Sequence, residues 1–416
     1  MPNMTQRRSH HSPTRAPIFA AISLTGVLWQ CDGQGSPGYP SDGPTQATST
    51  VPSEPAASTS ESGNSHQVSL TLEWAREVDP LALFINMSID SKDNIYISYE
   101  SEPTNTAGFL KVDKEGTELW RFEIPPDLHP GLVKTDANDD IYFVGNGPRL
   151  SEDKLGYGIL WKLSGSGDEL WNVRFDLDDG QLCSLMVDMY GRPHCVAGYP
   201  GLVRRYSPDG ELLQQNPSMP EWPGTLGGAI PCGGGFYVHG SSGADPTMLG
   251  RIGGDLQTTW QSEYIAGWSF IRFSVDSACS LVVASGDGPP VDLLSLRSYG
   301  EDGNLQWEHI DYDHGLAPRP GGLAIDELGT VFIVGMTRKA GTNDVGEEVQ
   351  RPDVFAASYS PEGDRLSYVE WGTWGLNEEG VDTVLSRRTR SLYAAATVDE
   401  NTIVVGGWIL KYRLSP

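Results

Sequence analysis

The chain has 416 residues, of which 49 are glycine and 29 are proline, and so many turn-forming residues disfavour long helices. It carries 55 acidic and 29 basic residues, and the net charge of −26 excludes nucleic-acid binding and a basic membrane-binding patch. With 38% hydrophobic residues, the chain can still bury a substantial core.

The first 30 residues have the pattern of a secretion signal. Arg7, Arg8 and Arg15 precede an apolar run over residues 18–29, which is too short for a bilayer core that needs about 20 residues. Cys31 comes directly after this region, and the arrangement resembles a bacterial lipoprotein signal, in which the cysteine is acylated. We expect residues 1–30 to be a signal peptide and Cys31 to be lipidated, with ordinary cleavage nearby as the alternative.

Residues 31–66 differ in composition from the rest of the chain. They are rich in serine, threonine, proline and glycine, and such a segment cannot bury enough apolar area to offset its ordering entropy. We expect a disordered stalk here and a folded domain over residues 67–416. The protein is then exported and attached to the cell envelope, or else periplasmic or extracellular.

A repeated unit fills residues 67–416. Each copy begins with a short strand that ends near an aspartate, followed by a polar turn and a strand rich in β-branched and aromatic residues. A third strand, a turn with glycine and a strand with tryptophan complete the unit. Corresponding aspartates are 46 residues apart from Asp90 to Asp136 and 52 residues apart from Asp136 to Asp188. Four short strands in each of seven such units predict an all-β fold, a seven-bladed β-propeller.

The last unit contains the strand around Trp408 but lacks the tryptophan-containing fourth strand. A matching strand stands at the other end of the domain, because residues 72–78 around Trp74 resemble residues 118–124 around Trp120. We expect the Trp74 segment to complete the seventh blade and close the ring, which removes exposed sheet edges. A β-helix or an open solenoid is the alternative architecture.

The unit over residues 321–368 resembles the bacterial β-propeller repeats of secreted and surface proteins, the SBBP-like repeats. The resemblance lies in residues 323–326, 332–335 and 359–363, and its weaker copies cover about 350 residues. The resemblance implies the structure of a propeller blade and does not imply an activity. Propellers of quinone-dependent dehydrogenases also have tryptophan-ended blades, but their Ala-Leu-Asp run does not appear in this chain.

Four cysteines lie within the repeats, and an even number in an exported protein favours disulfides. Cys183 and Cys195 fall on the first two strands of one unit, and Cys232 and Cys279 fall at corresponding turns of adjacent units. We expect these two pairs among the three that four cysteines permit. Free buried thiols or a zinc site remain as alternatives.

Aromatic and acidic residues gather in the links between units, which share one face of a propeller. Exposed tryptophan and tyrosine offer rigid apolar area with a polar tip, which suits a sugar ring or a protein anchor. The alternative is that these side chains only cover the blade cores. The candidate ligand-binding residues are Trp222, Tyr264, Trp268, Tyr312, Trp371 and Trp374.

One of these links also suggests a metal site. His309, Asp311 and Asp313 alternate along the chain, so an extended segment would present one imidazole and two carboxylates on one side. A divalent metal such as Ca²⁺ could then bind, and a solvated acidic loop is the alternative. The acidic run at residues 136–140 lacks the glycine and distal glutamate of a calcium loop, which favours a hairpin turn.

No motif for nucleophilic catalysis or for phosphate binding occurs in the sequence. We therefore expect no catalytic residues and no cofactor, and a monomeric binding module that recognises a protein or a glycan on the cell envelope. A metal-dependent hydrolase or lyase that uses the central face is one alternative. A scaffold for envelope assembly is another.

Overall fold

The computed structural model consists of β-strands and the turns between them. It describes residues 68–101, 104–147, 156–177, 183–197, 202–216, 225–241, 247–264, 271–287, 293–311, 316–342, 348–372, 377–400 and 403–415. Within these ranges there is no helix, and so none that could cross a membrane.

The described ranges contain 28 strands. The strands of the first half are β1 (Ser69–Asp79), β2 (Leu83–Ile89), β3 (Ile95–Ser101), β4 (Thr106–Val112), β5 (Glu118–Glu123), β6 (His129–Thr135), β7 (Ile141–Asn146), β8 (Gly156–Leu163), β9 (Glu169–Leu177), β10 (Cys183–Val187), β11 (Pro193–Ala197), β12 (Leu202–Tyr206), β13 (Leu212–Asn216) and β14 (Thr225–Cys232). Those of the second half are β15 (Gly235–Ser241), β16 (Thr247–Ile252), β17 (Thr258–Tyr264), β18 (Ile271–Val275), β19 (Leu281–Asp287), β20 (Leu293–Tyr299), β21 (Leu305–Asp311), β22 (Leu316–Ile325), β23 (Val331–Thr342), β24 (Glu348–Tyr359), β25 (Arg365–Trp371), β26 (Asn377–Ser386), β27 (Ser391–Glu400) and β28 (Ile403–Ser415).

These strands form seven four-stranded antiparallel sheets, which confirms the predicted seven-bladed propeller. Six blades use consecutive strands, from β2–β5 for the first blade to β22–β25 for the sixth. The first strand of each blade is the inner strand, and every inner strand contacts the inner strands of both neighbouring blades. The seven inner strands therefore surround one central channel.

The seventh blade is closed by the N-terminal strand, as the sequence predicts. Its strand order is β26-β27-β28-β1, and β1 pairs with β28 in an antiparallel register that places Leu72 opposite Tyr412. Trp74 on β1 packs against Tyr393 of the same blade, with ring centroids 6.4 Å apart. Residues from the two ends of the domain thus share one sheet, and the ring has no open seam.

The turn after each inner strand explains the recurring aspartate. In the first blade the Oδ1 of Asp90 accepts hydrogen bonds from the backbone N–H of Lys92 at 2.9 Å and of Asn94 at 2.8 Å. The turn places Asp93 at φ 67°. Asp136 makes the same turn, and this confirms a hairpin over residues 136–140. The carboxylate satisfies backbone donors that the tight turn would otherwise leave unpaired.

Two faces of the ring follow from this antiparallel order. The hairpin face carries the turns after the inner strands and the turns between the third and fourth strands, such as residues 90–94 and 113–117. The connection face lies at the opposite rim, where outer strands such as β5 end and the next inner strands begin. The links in which the sequence concentrates aromatic residues belong to the connection face.

Candidate functional site

The central channel collects charged side chains from four of the seven inner strands. Apart from His129 at the rim and the fully buried Glu378, these inner strands carry five charged residues, which we call the channel cluster. The channel cluster consists of Lys134 on β6, Arg272 on β18, Arg319 on β22, and Glu379 and Asp382 on β26. Each of these side chains is only partly buried or is exposed.

The members of the channel cluster influence one another across the channel. Lys134 belongs to the second blade and Asp382 to the seventh, and the first blade stands between them. Burial lowers the pKa of Lys134, and the carboxylate of Asp382 opposes that shift. Asn86 on β2 lies between them, because its side chain is hydrogen-bonded to Asp382 and to the backbone N–H of Val133, the residue before Lys134.

Asp382 is held by hydrogen bonds on both carboxylate oxygens. Its Oδ2 accepts from Asn86 Nδ2 at 2.5 Å and from the backbone N–H of Met87 at 2.9 Å, and its Oδ1 accepts from the backbone N–H of Thr383 at 2.8 Å. Asn86 Oδ1 in turn accepts from the backbone N–H of Val133 at 2.9 Å. Burial raises the pKa of Asp382, while the charge of Lys134 lowers it. A hydrogen-bonded chain thus joins the seventh, first and second blades.

Arg272 is fixed on the other side of the channel. Its Nε donates to the carbonyl of Gly321 on the next inner strand, and its Nη1 donates to the carbonyl of Ile271 at 3.1 Å. Burial lowers the pKa of Arg272, and the carboxylates of Asp382 and Glu379 oppose this shift. Gly321 lies directly against the backbone of Gly380, where a side chain would clash, so the sixth and seventh inner strands meet closely.

Glu379 lies nearer the connection face on β26. The protein around the channel desolvates its carboxylate and raises its pKa, while Arg319 and Arg272 lower it. The pKa of Glu379 is also affected by Asp399 and Arg338 on the neighbouring strands. Around the ring, Lys134 on the second blade is followed across the first blade by the two carboxylates of β26, Asp382 and Glu379, and then by the cations Arg319 and Arg272 on the sixth and fifth blades.

Lys134 differs from the other cations of the channel cluster. Among the described residues, its Nζ has no hydrogen bond and no ion pair within 4.0 Å. Its side chain is half-buried, so part of it remains accessible to solvent. An ammonium has three N–H donors and no acceptor. Lys134 is thus a cation that can bind an anionic group entering the channel.

A cleft of about 370 Å³ lies on the hairpin face between the second, third and fourth blades. Met186, Phe236 and the half-buried Asp188 line it, together with the buried His194. The Nε2 of His194 lies 3.2 Å from Asp188 Oδ2, while its Nδ1 has no hydrogen-bond partner in the part of the chain that is described. The Asp188 carboxylate already binds His194 and Arg192, and these contacts hold its pKa below its usual range even though burial alone would raise it.

One of the six predicted aromatic ligand-binding residues has a described side chain. Trp371 at the end of β25 is half-buried and packs on Trp408, with ring centroids 5.4 Å apart. It joins the core between the sixth and seventh blades. Trp222, Trp268, Tyr312 and Trp374 lie outside the described residues, and only the backbone of Tyr264 is described. Ligand binding by these six residues stays a prediction.

The predicted metal ligands His309 and Asp311 lie on the same side of β21, as their alternation indicates. The His309 ring centroid is 5.8 Å from that of Tyr359, and Asp311 Oδ2 accepts a hydrogen bond from the Tyr359 hydroxyl at 3.0 Å. Arg365 Nη1 donates to both oxygens of the buried Asp311 at 3.1 Å. Asp313 lies outside the described residues. The described ranges hold no group of three metal-ligating residues, and the metal site stays a prediction.

Both predicted disulfides are present. Cys183–Cys195 joins the first two strands of the third blade, and Cys232–Cys279 joins the turns of the fourth and fifth blades. The Cα atoms are 5.7 Å apart in each pair, which is an ordinary spacing for a disulfide. The second bridge crosses a blade boundary close to the cleft on the hairpin face.

Sequence reasoning missed the channel cluster. Its residues are single charges in otherwise apolar strands, and they are more than 40 residues apart except within β26. A signal was nonetheless present, because three of the seven inner strands carry no charged residue at all. Superposing the seven inner strands would have revealed Lys134 and Arg272.

Comparisons with known proteins support the fold. No protein-family model matches the sequence, and no curated protein matches it. A solved polysaccharide lyase of family PL25, an ulvan lyase bound to -[GlcA(1-4)Rha3S]-, is 8% identical with a TM-score of 0.50, and the match covers 82% of this chain and 95% of that one. The β-propeller domain of the trilobed protease from Pyrococcus furiosus is 10% identical with a TM-score of 0.48, over 80% of this chain and 94% of that one. At such identities the similarity concerns the fold alone.

Proposed function

We propose that this protein is a non-enzymatic recognition module that binds a glycan or a protein of the cell envelope through the central channel and the connection face around it. The channel cluster is the observation that supports the proposal. Partly desolvated charges facing a concave, water-accessible site are unfavourable unless they have a role, and ligand binding is such a role. The predicted aromatic residues other than Trp371 would add stacking contacts on the connection face.

The proposal places the protein outside the cytoplasm. Two disulfides support this, because disulfides form and persist in oxidising compartments. The signal peptide over residues 1–30 and a lipid on Cys31 would attach the protein to a membrane, and the stalk would hold the propeller away from it. The SBBP-like resemblance agrees with a secreted or surface protein.

The fold itself does not decide between a glycan and a protein as ligand. An ulvan lyase and a protease domain share it, and a propeller can carry either kind of site. Both classes therefore need to be tested on the full chain, with immobilised protein exposed to an array of envelope polysaccharides and to an envelope protein extract.

A variant that fills the channel separates channel binding from binding elsewhere. Ser274 lies two residues after Arg272 on β18, so its side chain points to the same side of the strand. Ser274→Trp should abolish retention of the ligand. Ser277→Trp, in the exposed turn on the hairpin face, is the matched control and should retain it.

Three outcomes would contradict the proposal. If the Ser274→Trp variant retains the ligand fully and has an unchanged melting temperature, the channel is not part of the binding site. If the unmodified protein retains neither a polysaccharide nor a protein, it does not have the proposed recognition function. A stoichiometric divalent metal together with turnover of a polysaccharide would support the metal-dependent hydrolase or lyase instead.

A further inference from the structure

We infer that the channel contains a subsite for a single carboxylate group, in which Lys134 Nζ binds the carboxylate and the Arg272 guanidinium adds attraction from across the channel. The inference rests on the proposed function, since it specifies the chemistry of the ligand that enters the channel.

Among the described residues no acceptor binds the N–H donors of Lys134, and Asp382 accepts its hydrogen bonds from other groups. Three donors occupy the two oxygens of Asp382, and the shortest of these hydrogen bonds is 2.5 Å long, from Asn86 Nδ2. No ion pair within 4.0 Å joins Lys134 to any described carboxylate. Asp382 thus attracts the ammonium through space without satisfying its N–H groups. A ligand that brings an acceptor to Lys134 gains a charge-assisted hydrogen bond.

Arg272 is positioned to assist without competing. Its Nε and Nη1 already donate to backbone carbonyls, so the guanidinium is held in place before a ligand arrives. Its hydrogen-bond partner Gly321 lies against the backbone of Gly380, two residues before Asp382, so the positive charge of Arg272 lies close to the β26 wall of the channel. A fixed cation on the far wall favours an anion at Lys134 at no cost in side-chain ordering.

The surroundings select a single negative charge. Asp382 and Glu379 stand beside the two cations, and they repel a doubly charged phosphate or sulfate more strongly than a carboxylate. The net charge of −26 likewise repels a densely charged polyanion. The ligand chemistry that fits is an isolated carboxylate, as found on a uronic-acid sugar or at the C-terminus of a peptide.

The test is isothermal titration calorimetry of the full chain with small carboxylates and their neutral counterparts. D-glucuronate with D-glucose as its control represents the sugar source, and N-acetyl-L-alanine with its amide represents the peptide source. We expect one of the two carboxylates to bind and its neutral counterpart not to bind. Absence of binding by both carboxylates would overturn the inference.

Variants of Lys134 assign the binding to this residue. Lys134→Met should weaken carboxylate binding by about tenfold or more, which corresponds to the loss of one charge-assisted hydrogen bond. Lys134→Arg should preserve binding, and Lys114→Met, at an exposed turn of the hairpin face, should leave it unchanged. Equal binding by Lys134→Met and the unmodified chain would overturn the inference.

A second measurement covers the case in which Lys134→Met does not fold. Saturating carboxylate should slow the reaction of Lys134 with an amine-modifying reagent, as followed by mass spectrometry, while Lys114 reacts at an unchanged rate. Equal protection of the two lysines would overturn the inference. If Ser274→Trp abolishes retention of the envelope ligand but Lys134→Met does not, the carboxylate subsite is contradicted, while the proposed function is still supported.

Discussion

The indole of Trp120 lies against Gly167 of the next blade, where a Cβ on the glycine would be 3.1 Å from the indole ring. Gly167 has φ +93° and occupies the turn between the third and fourth strands of the second blade. The same contact recurs at other blade boundaries. The further pairs are Trp74 with Gly116, Trp171 with Gly210, Trp260 with Gly303, and Trp307 with Gly363.

One boundary without this tryptophan shows a compensating change. The third blade has Gln214 in the position opposite Arg205, where five of the other six outer strands have tryptophan. The next turn then has the fully buried Leu256 at φ 63° instead of a glycine. Asn216 Nδ2 and Gln214 Nε2 donate to backbone carbonyls of that turn at 2.8 and 2.9 Å. A leucine side chain thus fills space that the indole fills elsewhere.

We expect Gly167→Ala to destabilise the domain more than Gly234→Ala does. Both glycines have positive φ, so each alanine incurs a backbone cost of about 1 kcal/mol. Only Gly167 has an indole against it, and displacing Trp120 should add about 1–3 kcal/mol. Chemical denaturation of both variants measures the difference. Equal losses of stability would show that the indole contact contributes little.

The two disulfides should differ in their contribution to stability. Cys232–Cys279 closes a loop of sequence separation 47, and Cys183–Cys195 closes one of separation 12. On the chain-entropy model the first contributes about 4 kcal/mol and the second about 3 kcal/mol. Double alanine variants of each pair, compared by denaturant midpoint, test this order. A larger loss for the Cys183–Cys195 pair would contradict it.

His239 should make the domain less stable as the pH falls. Burial, with the nearby Arg272 adding to it, lowers the pKa of His239 to about 4, below the ordinary value of 6.5. Between these two values the unfolded chain binds a proton that the folded chain does not, so the stability contribution falls as pH drops from 6.5 towards 4. The melting temperature of the His239→Gln variant should therefore decrease less between pH 6.5 and pH 4 than that of the unmodified chain.

His129 provides the opposite control for that experiment. Glu100 Oε1 lies 3.3 Å from its Nδ1, and this hydrogen bond raises the pKa of His129. The stabilisation of the fold by this hydrogen bond is complete at pH values below the pKa that His129 has in the unfolded chain. It is lost as the pH rises through the higher pKa that His129 has in the folded chain. His129→Gln should thus reduce stability at acidic pH and have little effect at alkaline pH. The same pH dependence in the two variants would contradict both assignments.

The fold could be predicted from the sequence because its cause is local and repeated. Asp90 and its counterparts fix one turn, the glycine beside each outer tryptophan fixes the other, and the match of Trp74 to Trp120 predicts how the ring closes. Both disulfides follow from the position of each cysteine within the repeat. These features need no knowledge of contacts between distant blades.

The channel cluster could not be predicted in the same way, because it depends on the closed ring. Lys134 and Asp382 are almost 250 residues apart, and only the circular arrangement brings their strands to one channel. A register shift between Gly380 and Asp382 also changes which residues of β26 face it. For Asp311 the alternation was predicted, but its partner Arg365 comes from the next blade.

The most direct test of the account is nuclear magnetic resonance of isotope-labelled lysine side chains in the full chain. Lys134 should titrate at a lower pH than a free lysine, because burial lowers its pKa. Addition of the binding carboxylate should move its resonance and raise its pKa, while the resonance of Lys114 stays in place. A Lys134 resonance that titrates like a free lysine and does not respond to any carboxylate would contradict the account.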